Sequence, residues 1–261
     1  RGACLAQGQG ADLMCVAAVA WHAHPRWTLV AIGNRDEYHA RAAAPLAAWG
    51  DDSGVIAGRD LVSGGTWLGV TKGRFALVTN RRGFGDPDPS RASRGALVTD
   101  ALAGSEIDDL NDYNPFNLIT ATASEARFLS NRPLPVDTPL ASGIYGLSNG
   151  ALDEPWSKTL KLKAALLDWL GRDSLSPDPL FAALADEALP DIGLHPDKPS
   201  DVRREAQDTA PFIRDAMYGT RCSTVVCIDA RGAGRIIERR FDSAGNAAGE
   251  TAFDFVWPAE A

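Results

Sequence analysis

Apolar residues gather in short runs at both ends of the chain and fall into helical spacing in its middle. Residues 15–21 form a β-like run closed by a polar turn from His22 to Arg26, and residues 29–33 form a second. Residues 66–71 and 75–79 flank Lys72-Gly73 and read as a β-hairpin. Helical periodicity begins after Ser93, runs to about Leu102 and is stopped by Gly104. Residues 117–122 and 126–130 predict two more strands. The clearest helix starts near Pro155. There Trp156, Leu160, Ala164, Leu167 and Leu170 share a face, with Lys158, Lys161 and Lys163 largely off it, and Gly171 ends it. A further helix is predicted over residues 179–189. Residues 190–201 carry three prolines and read as a loop or lid-like insertion. Residues 220–229, 236–242 and 251–257 predict three closing strands.

Strand–turn–strand pairs at both ends with helices grouped between them predict antiparallel sheets and an α+β class. With 45% apolar and 23% charged residues among 261, the chain can build its core without metal or disulfide staples. The pattern lacks periodicity over residues 1–13, which read as a leader or disordered extension. Met14 reads as the natural first residue, and residues 14–261 as one domain. A net charge of −8 argues against nucleic-acid backbones and anionic membrane surfaces as partners. No stretch approaches the roughly 20 apolar residues of a transmembrane segment. Of the four cysteines, Cys222 and Cys227 are five apart on a predicted strand and should face opposite sides. A reducing, cytoplasmic setting fits unpaired thiols.

Common catalytic signatures are missing. The chain has no Gly-x-Ser-x-Gly elbow, no phosphate-binding Gly-x-x-x-x-Gly-Lys loop and no dinucleotide glycine fingerprint. No cofactor is implied. His22 and His24 read as solvated turn residues rather than metal ligands. What stands out is polar residues at strand ends: Asn34-Arg35-Asp36-Glu37, Thr79-Asn80-Arg81-Arg82, Leu147-Ser148-Asn149 and Tyr218-Gly219-Thr220-Arg221. One such cluster is a solvated cap; four point to a shared cleft. Cleavage after Met14 would give Cys15 both a thiol and a free α-amine, whose ordinary pKa of about 8 suits it to take a thiol proton. The residues leave two readings of Cys15 open, a nucleophile of this kind or a small buried strand residue.

In this order, Met14-Cys15, Asn34-Arg35-Asp36-Glu37, Gly64-Gly65-Thr66-Trp67-Leu68-Gly69, Thr79-Asn80, Tyr145-Gly146-Leu147-Ser148-Asn149 and Tyr218-Gly219-Thr220-Arg221 resemble the Asn-Arg-Asp-Glu family of the transport and Golgi organisation 2 type. The resemblance spans Met14 to Trp257. It implies a four-layer αββα sandwich like that of N-terminal-nucleophile hydrolases. By likeness to cysteine amidohydrolases of that fold, Cys15 is the nucleophile and Asp36 holds its α-amine. Asn80 and Asn149 offer donors to an oxyanion, and Arg221 lies near the thiolate. Asn34, Arg35, Glu37 and Arg82 are implied as substrate-binding residues. The ligand implied is a small-molecule amide or, on the same scaffold without catalysis, a hydrophobic ligand such as haem or a lipid metabolite. The relatives carry an arginine three residues before their aspartate, where this chain has Gly33. The glycines of residues 64–69 read as sites of close backbone approach beside a core strand, with Trp67 packed between layers.

Overall fold

The protein, as a computed structural model describing residues 15–50, 53–107, 109–190 and 209–258, forms two antiparallel sheets. One contains β1 (Val16–His24), β2 (Trp27–Tyr38), β10 (Gly143–Leu147), β11 (Tyr218–Asp229), β12 (Ala233–Phe241) and β13 (Ala247–Val256). Their order is β10-β1-β2-β11-β12-β13. The other is a meander of β3 (Ala43–Ala48), β4 (Ile56–Asp60), β5 (Leu68–Thr71), β6 (Arg74–Asn80), β7 (Phe116–Ala121), β8 (Ala126–Ser130) and β9 (Val136–Pro139). Three α-helices accompany the sheets among the described residues: α1 (Arg94–Ala103), α2 (Ser157–Gly171) and α3 (Asp178–Leu184).

The inner faces of the sheets meet through Ala17, Val19, Leu29 and Ala31 on one side and Trp67, Leu68, Phe75, Leu77 and Ile119 on the other. The opposite face of the first sheet, with Val16, Ala18, Val30 and Ile32, lies under Leu162, Leu166, Trp169, Leu180 and Leu184 of α2 and α3. Ala76, Val78 and Leu118 of the second sheet lie under Leu97, Val98 and Leu102 of α1. The result is the α+β sandwich that the sequence predicts, layered helix, sheet, sheet, helix. Central strands covered on both faces explain the continuous apolar runs of β1 and β2, where a half-exposed strand would alternate. Among the described residues, no helix is long and apolar enough to cross a membrane. The expectations for residues 1–13, Met14 and the insertion beyond Pro190 fall outside the described residues.

Element ends follow the turn chemistry. Ser93 caps α1 by accepting from the N–H of Gly95 at 3.2 Å, and Gly104 closes it in the left-handed region. A Cβ at Gly65 would stand 2.4 Å from the carbonyl carbon of Gly95, so the turn before β5 is pressed against the start of α1. Trp67 packs between the sheets, as expected. Cys222 faces the inter-sheet core and Cys227 the helix side.

Three sequence expectations are corrected. β2 does not stop before Asn34 but runs on to Tyr38, so Asn34-Arg35-Asp36-Glu37 lies within a strand. The second helix ends at Leu184, well short of residue 189. The buried face of α2 is Lys158, Thr159, Leu162, Leu166, Trp169 and Leu170, while Leu160 and Leu167 are 51% and 61% exposed. Leucines surround this helix, so periodicity alone fits more than one face. Packing selects the face that buries the indole of Trp169, and that choice carries Lys158 inward.

Candidate functional site

The register of β1 on β2 pairs Val16 with Asn34, which sets Cys15 beside the end of β2. The Cys15 carbonyl accepts from Ser148 Oγ at 2.7 Å, and its Sγ lies 3.9 Å from the Asp36 carbonyl oxygen. Alternation along β2 then divides the four polar residues. Leu29 and Ala31 face the other sheet and Val30 and Ile32 face the helices, so Arg35 and Glu37 enter the space between sheets while Asn34 and Asp36 turn towards the helices.

Asp36 is 2% exposed. Its Oδ1 accepts from Thr220 Oγ1 at 2.6 Å, and that hydroxyl is itself oriented by accepting from the N–H of Ile213 at 2.9 Å. Its Oδ2 is buried with no hydrogen-bond partner among the described residues. Lys158, in the first turn of α2, is 0% exposed, and its Nζ likewise has no partner there. Burial pushes the Asp36 carboxyl up to about 7, opposed first by the charge of Lys158 and then by Thr220. Burial pulls Lys158 down to about 8 against the charge of Asp36. Each is the other's main counter-charge in a dry setting. Burial, and after it the Asp36 charge, pushes the Cys15 thiol up to about 12. The nearby cation opposing that rise is Arg35.

Asn34 is fully buried and fully occupied. Its Nδ2 donates to the carbonyls of Leu184 and Pro211 at 2.8 Å each, and its Oδ1 accepts from Ser223 Oγ at 2.6 Å. It ties the end of α3 and the approach to β11 onto β2. Arg35 and Arg41 converge on Asp60, at 3.3 and 2.6 Å, and on Glu37, at 3.6 and 3.5 Å. Burial alone would raise Asp60, but the Arg41 hydrogen bond and the N–H groups of Ser63 and Val62 outweigh it and hold it low.

The ends of β6 and β10 are stitched together. Thr79 Oγ1 donates to the Ser148 carbonyl at 2.6 Å, Asn149 Nδ2 to the Asn80 carbonyl at 3.0 Å, and the Arg82 N–H to the Asn149 carbonyl at 2.9 Å. Arg221 Nη1 donates to the carbonyls of Tyr38, His39 and Arg41 at 2.8, 3.3 and 3.1 Å.

A cleft of about 640 Å³ opens between the sheets over these strand ends. Cys15, Arg35, Asp36, Glu37, Asn80 and Arg221 line it; Asn34, Arg82 and Asn149 are not on its walls. The fold therefore brings most of the strand-end clusters together, as four such clusters in one chain led us to expect. Sequence reasoning missed Lys158, Asp60, Arg94 and Glu238. Lys158 had a usable signal: it stands four residues before Leu162 and eight before Leu166, on the face that Trp169 completes.

A sequence model of the family described as Transport and Golgi organisation 2 matches residues 14–243. The human Transport and Golgi organization protein 2 homolog is 34% identical over 242 residues, covering 82% of this chain and 86% of that protein. The bovine homolog is 35% identical with the same coverage. The Drosophila melanogaster Transport and Golgi organization protein 2 is 27% identical over 172 residues, covering 56% of this chain and 61% of its own.

Proposed function

The chain belongs to the Transport and Golgi organisation 2 family, and on that footing we propose that it is an N-terminal-nucleophile cysteine amidohydrolase acting on a small-molecule amide. The observation that carries this reading is the placement of Cys15 beside buried Asp36, whose backbone carbonyl oxygen lies 3.9 Å from the Cys15 Sγ and whose Oδ2 is unpartnered among the described residues. The sandwich of two antiparallel sheets with helices outside supports it as well.

Once the chain is cut after Met14, the new α-amine of Cys15 donates to Asp36, which orients it. The thiol, pushed up to about 12, is not a resting thiolate, so attack needs a base at hand. The α-amine takes the thiol proton as sulfur bonds to the amide carbon. The side-chain amide of Asn80, on the cleft wall, donates to the oxyanion, and Asn149 fixes the Asn80 backbone. Collapse breaks the C–N bond, and the α-ammonium returns its proton to the leaving amine. Water then attacks the thioester by the same proton path, releasing the acid and restoring the thiol. We place this chemistry in a reducing, cytoplasmic setting.

The test is the protein expressed from Met14. Its intact mass and N-terminal sequence should show Cys15 first, and an amide-like electrophile should add to that residue. Retained Met14, or amide turnover that survives Cys15→Ala, would overturn the reading. A second reading, a carrier of haem or a lipid-like metabolite, has one observation in its favour. A mostly apolar cavity of about 870 Å³ is lined by Trp27, Leu175, Pro177, Val225 and Ile237. A Soret shift on haem addition that survives Cys15→Ala and is lost in Val225→Arg would favour it.

A further inference from the structure

The chain as a whole is acidic, with 34 Asp and Glu against 26 Lys and Arg, yet the cleft over Cys15 is rich in arginine. Four of these arginines are engaged: Arg35 and Arg41 share Glu37 and Asp60, Arg91 reaches Asp88 at 3.8 Å, and Arg59 donates to the Gly64 carbonyl at 3.1 Å and lies over the Trp49 ring, although Arg35 Nη1 is without a partner among the described residues. Arg94, Arg221 and Arg240 also line the cleft, and none of them has a carboxylate within ion-pair distance among the described residues.

Their surroundings differ in what they leave unsatisfied. Arg221 is bonded to three backbone carbonyls. Arg94 has a single long contact, Nη1 to the Pro115 carbonyl at 3.3 Å, for five N–H donors. Arg240 has a buried Nε with no acceptor among the described residues. The acids within electrostatic reach are already engaged. Glu37 serves Arg35 and Arg41, and Glu238 accepts the Leu46 N–H at 2.8 Å while burial pushes its carboxyl upward. Desolvation weighs on Arg94, and the charge of a Cys15 thiolate would act on it.

A guanidinium stays charged in proteins, so it cannot escape burial by losing its proton as a lysine can. Arg94 and Arg240 are partly buried, so solvent meets some of their N–H groups, and a planar anion met by the fork of N–H groups would supply the missing counter-charge. The first turn of α1 adds to the same potential: Ser93, Arg94 and Gly95 line the cleft, and no acid stands in that turn.

We propose that the cleft contains an anion subsite, centred on Arg94 and extended by Arg240, so that the amide handled at Cys15 carries a carboxylate or phosphate group. The proposal deepens the amidohydrolase reading by naming its substrate class, and it rests on that reading only for the word amide. The subsite itself concerns any anion brought beside Cys15.

Two small alkylating reagents test it on the full chain, iodoacetate as the anion and iodoacetamide as its neutral match. Modification is read at Cys15 by peptide mass, which separates it from the other thiols. The iodoacetate-to-iodoacetamide rate ratio at Cys15 should exceed that of free cysteine at least tenfold and saturate with iodoacetate. Arg94→Gln should bring the ratio to within about twofold of free cysteine, and Arg240→Gln should lower it in part. Arg94→Lys, which keeps the charge and the aliphatic stem, should lie between, and it guards against a folding defect in the glutamine variant. Stronger protection by acetate assigns a carboxylate, and stronger protection by inorganic phosphate a phosphate. A wild-type ratio equal to that of free cysteine, or one unchanged by both glutamine variants, overturns the subsite. Because the ratio needs a thiol but no turnover, a high ratio with no amide hydrolysis would sink the hydrolase and leave the subsite. Hydrolysis of neutral amides with an ordinary ratio would do the reverse.

Discussion

Lys158→Met isolates the buried pair most directly. Lys158 is the largest influence holding the Asp36 carboxyl down against burial, so its removal lifts that carboxyl beyond the value of about 7 it has now. A carboxyl whose folded pKa lies above its unfolded value of about 3.9 binds its proton more tightly when folded. Its contribution therefore declines as pH rises and is spent once pH passes the folded pKa. In the wild type that decline from Asp36 ends near pH 7; in the variant it continues above. Lys158 acts in the opposite direction. Its folded pKa of about 8 lies below the unfolded value of about 10.4, so the wild type gains stability from pH 8 upward, and the variant lacks that gain. Each pH unit of such a mismatch is worth about 1.4 kcal/mol. Between pH 7 and pH 9 the stability of Lys158→Met relative to wild type should fall by roughly 3 kcal/mol. Both side chains are fully buried, so solvent does not discount the effect. Urea denaturation at half-unit steps from pH 6 to pH 9 measures the difference. Parallel curves over that range would show that Lys158 and Asp36 do not form a coupled dry pair. At pH 7 itself the variant need not be weak, since methionine removes a buried ammonium while Asp36 can take up a proton.

Other outcomes follow from single contacts. Asn34→Ala leaves the carbonyls of Leu184 and Pro211 without their donor and should cost about 2–4 kcal/mol in urea denaturation. A loss under 1 kcal/mol would mean Asn34 is not the tie we describe. Gly65→Ala forces a Cβ to 2.4 Å from the Gly95 backbone and should destabilise by about 1–3 kcal/mol; an unchanged melting temperature would contradict that close approach. Leu162→Ala, at the buried face of α2, should cost about 2–5 kcal/mol, whereas Leu160→Ala, half exposed, should cost under about 1 kcal/mol. Equal losses would restore the helix face that periodicity first indicated.

Local patterning along the chain was enough for the fold class, the hairpin around Lys72-Gly73, both ends of α1 and the last three strands. These are set by local rules: alternation, turn glycines, and a serine and a glycine capping a helix. It also marked Cys15, Asp36, Asn80 and Arg221 by motif, and the fold does bring them to one cleft. The short strands β3, β4, β9 and β10 escaped notice because runs of four to six residues carry little periodic signal. Which residues of Asn34-Arg35-Asp36-Glu37 face the cleft is set by long-range strand pairing. Extension of β2 to Tyr38 depends on its pairing with β11, about 190 residues away in sequence. Tertiary packing also chose the face of α2, since leucines around that helix made several faces equally apolar, and only contact with β1 and β2 could select the one carrying Lys158. A buried lysine looks the same in sequence as a solvated one. Its meaning comes from the carboxylate set against it, and local sequence holds no record of that neighbour.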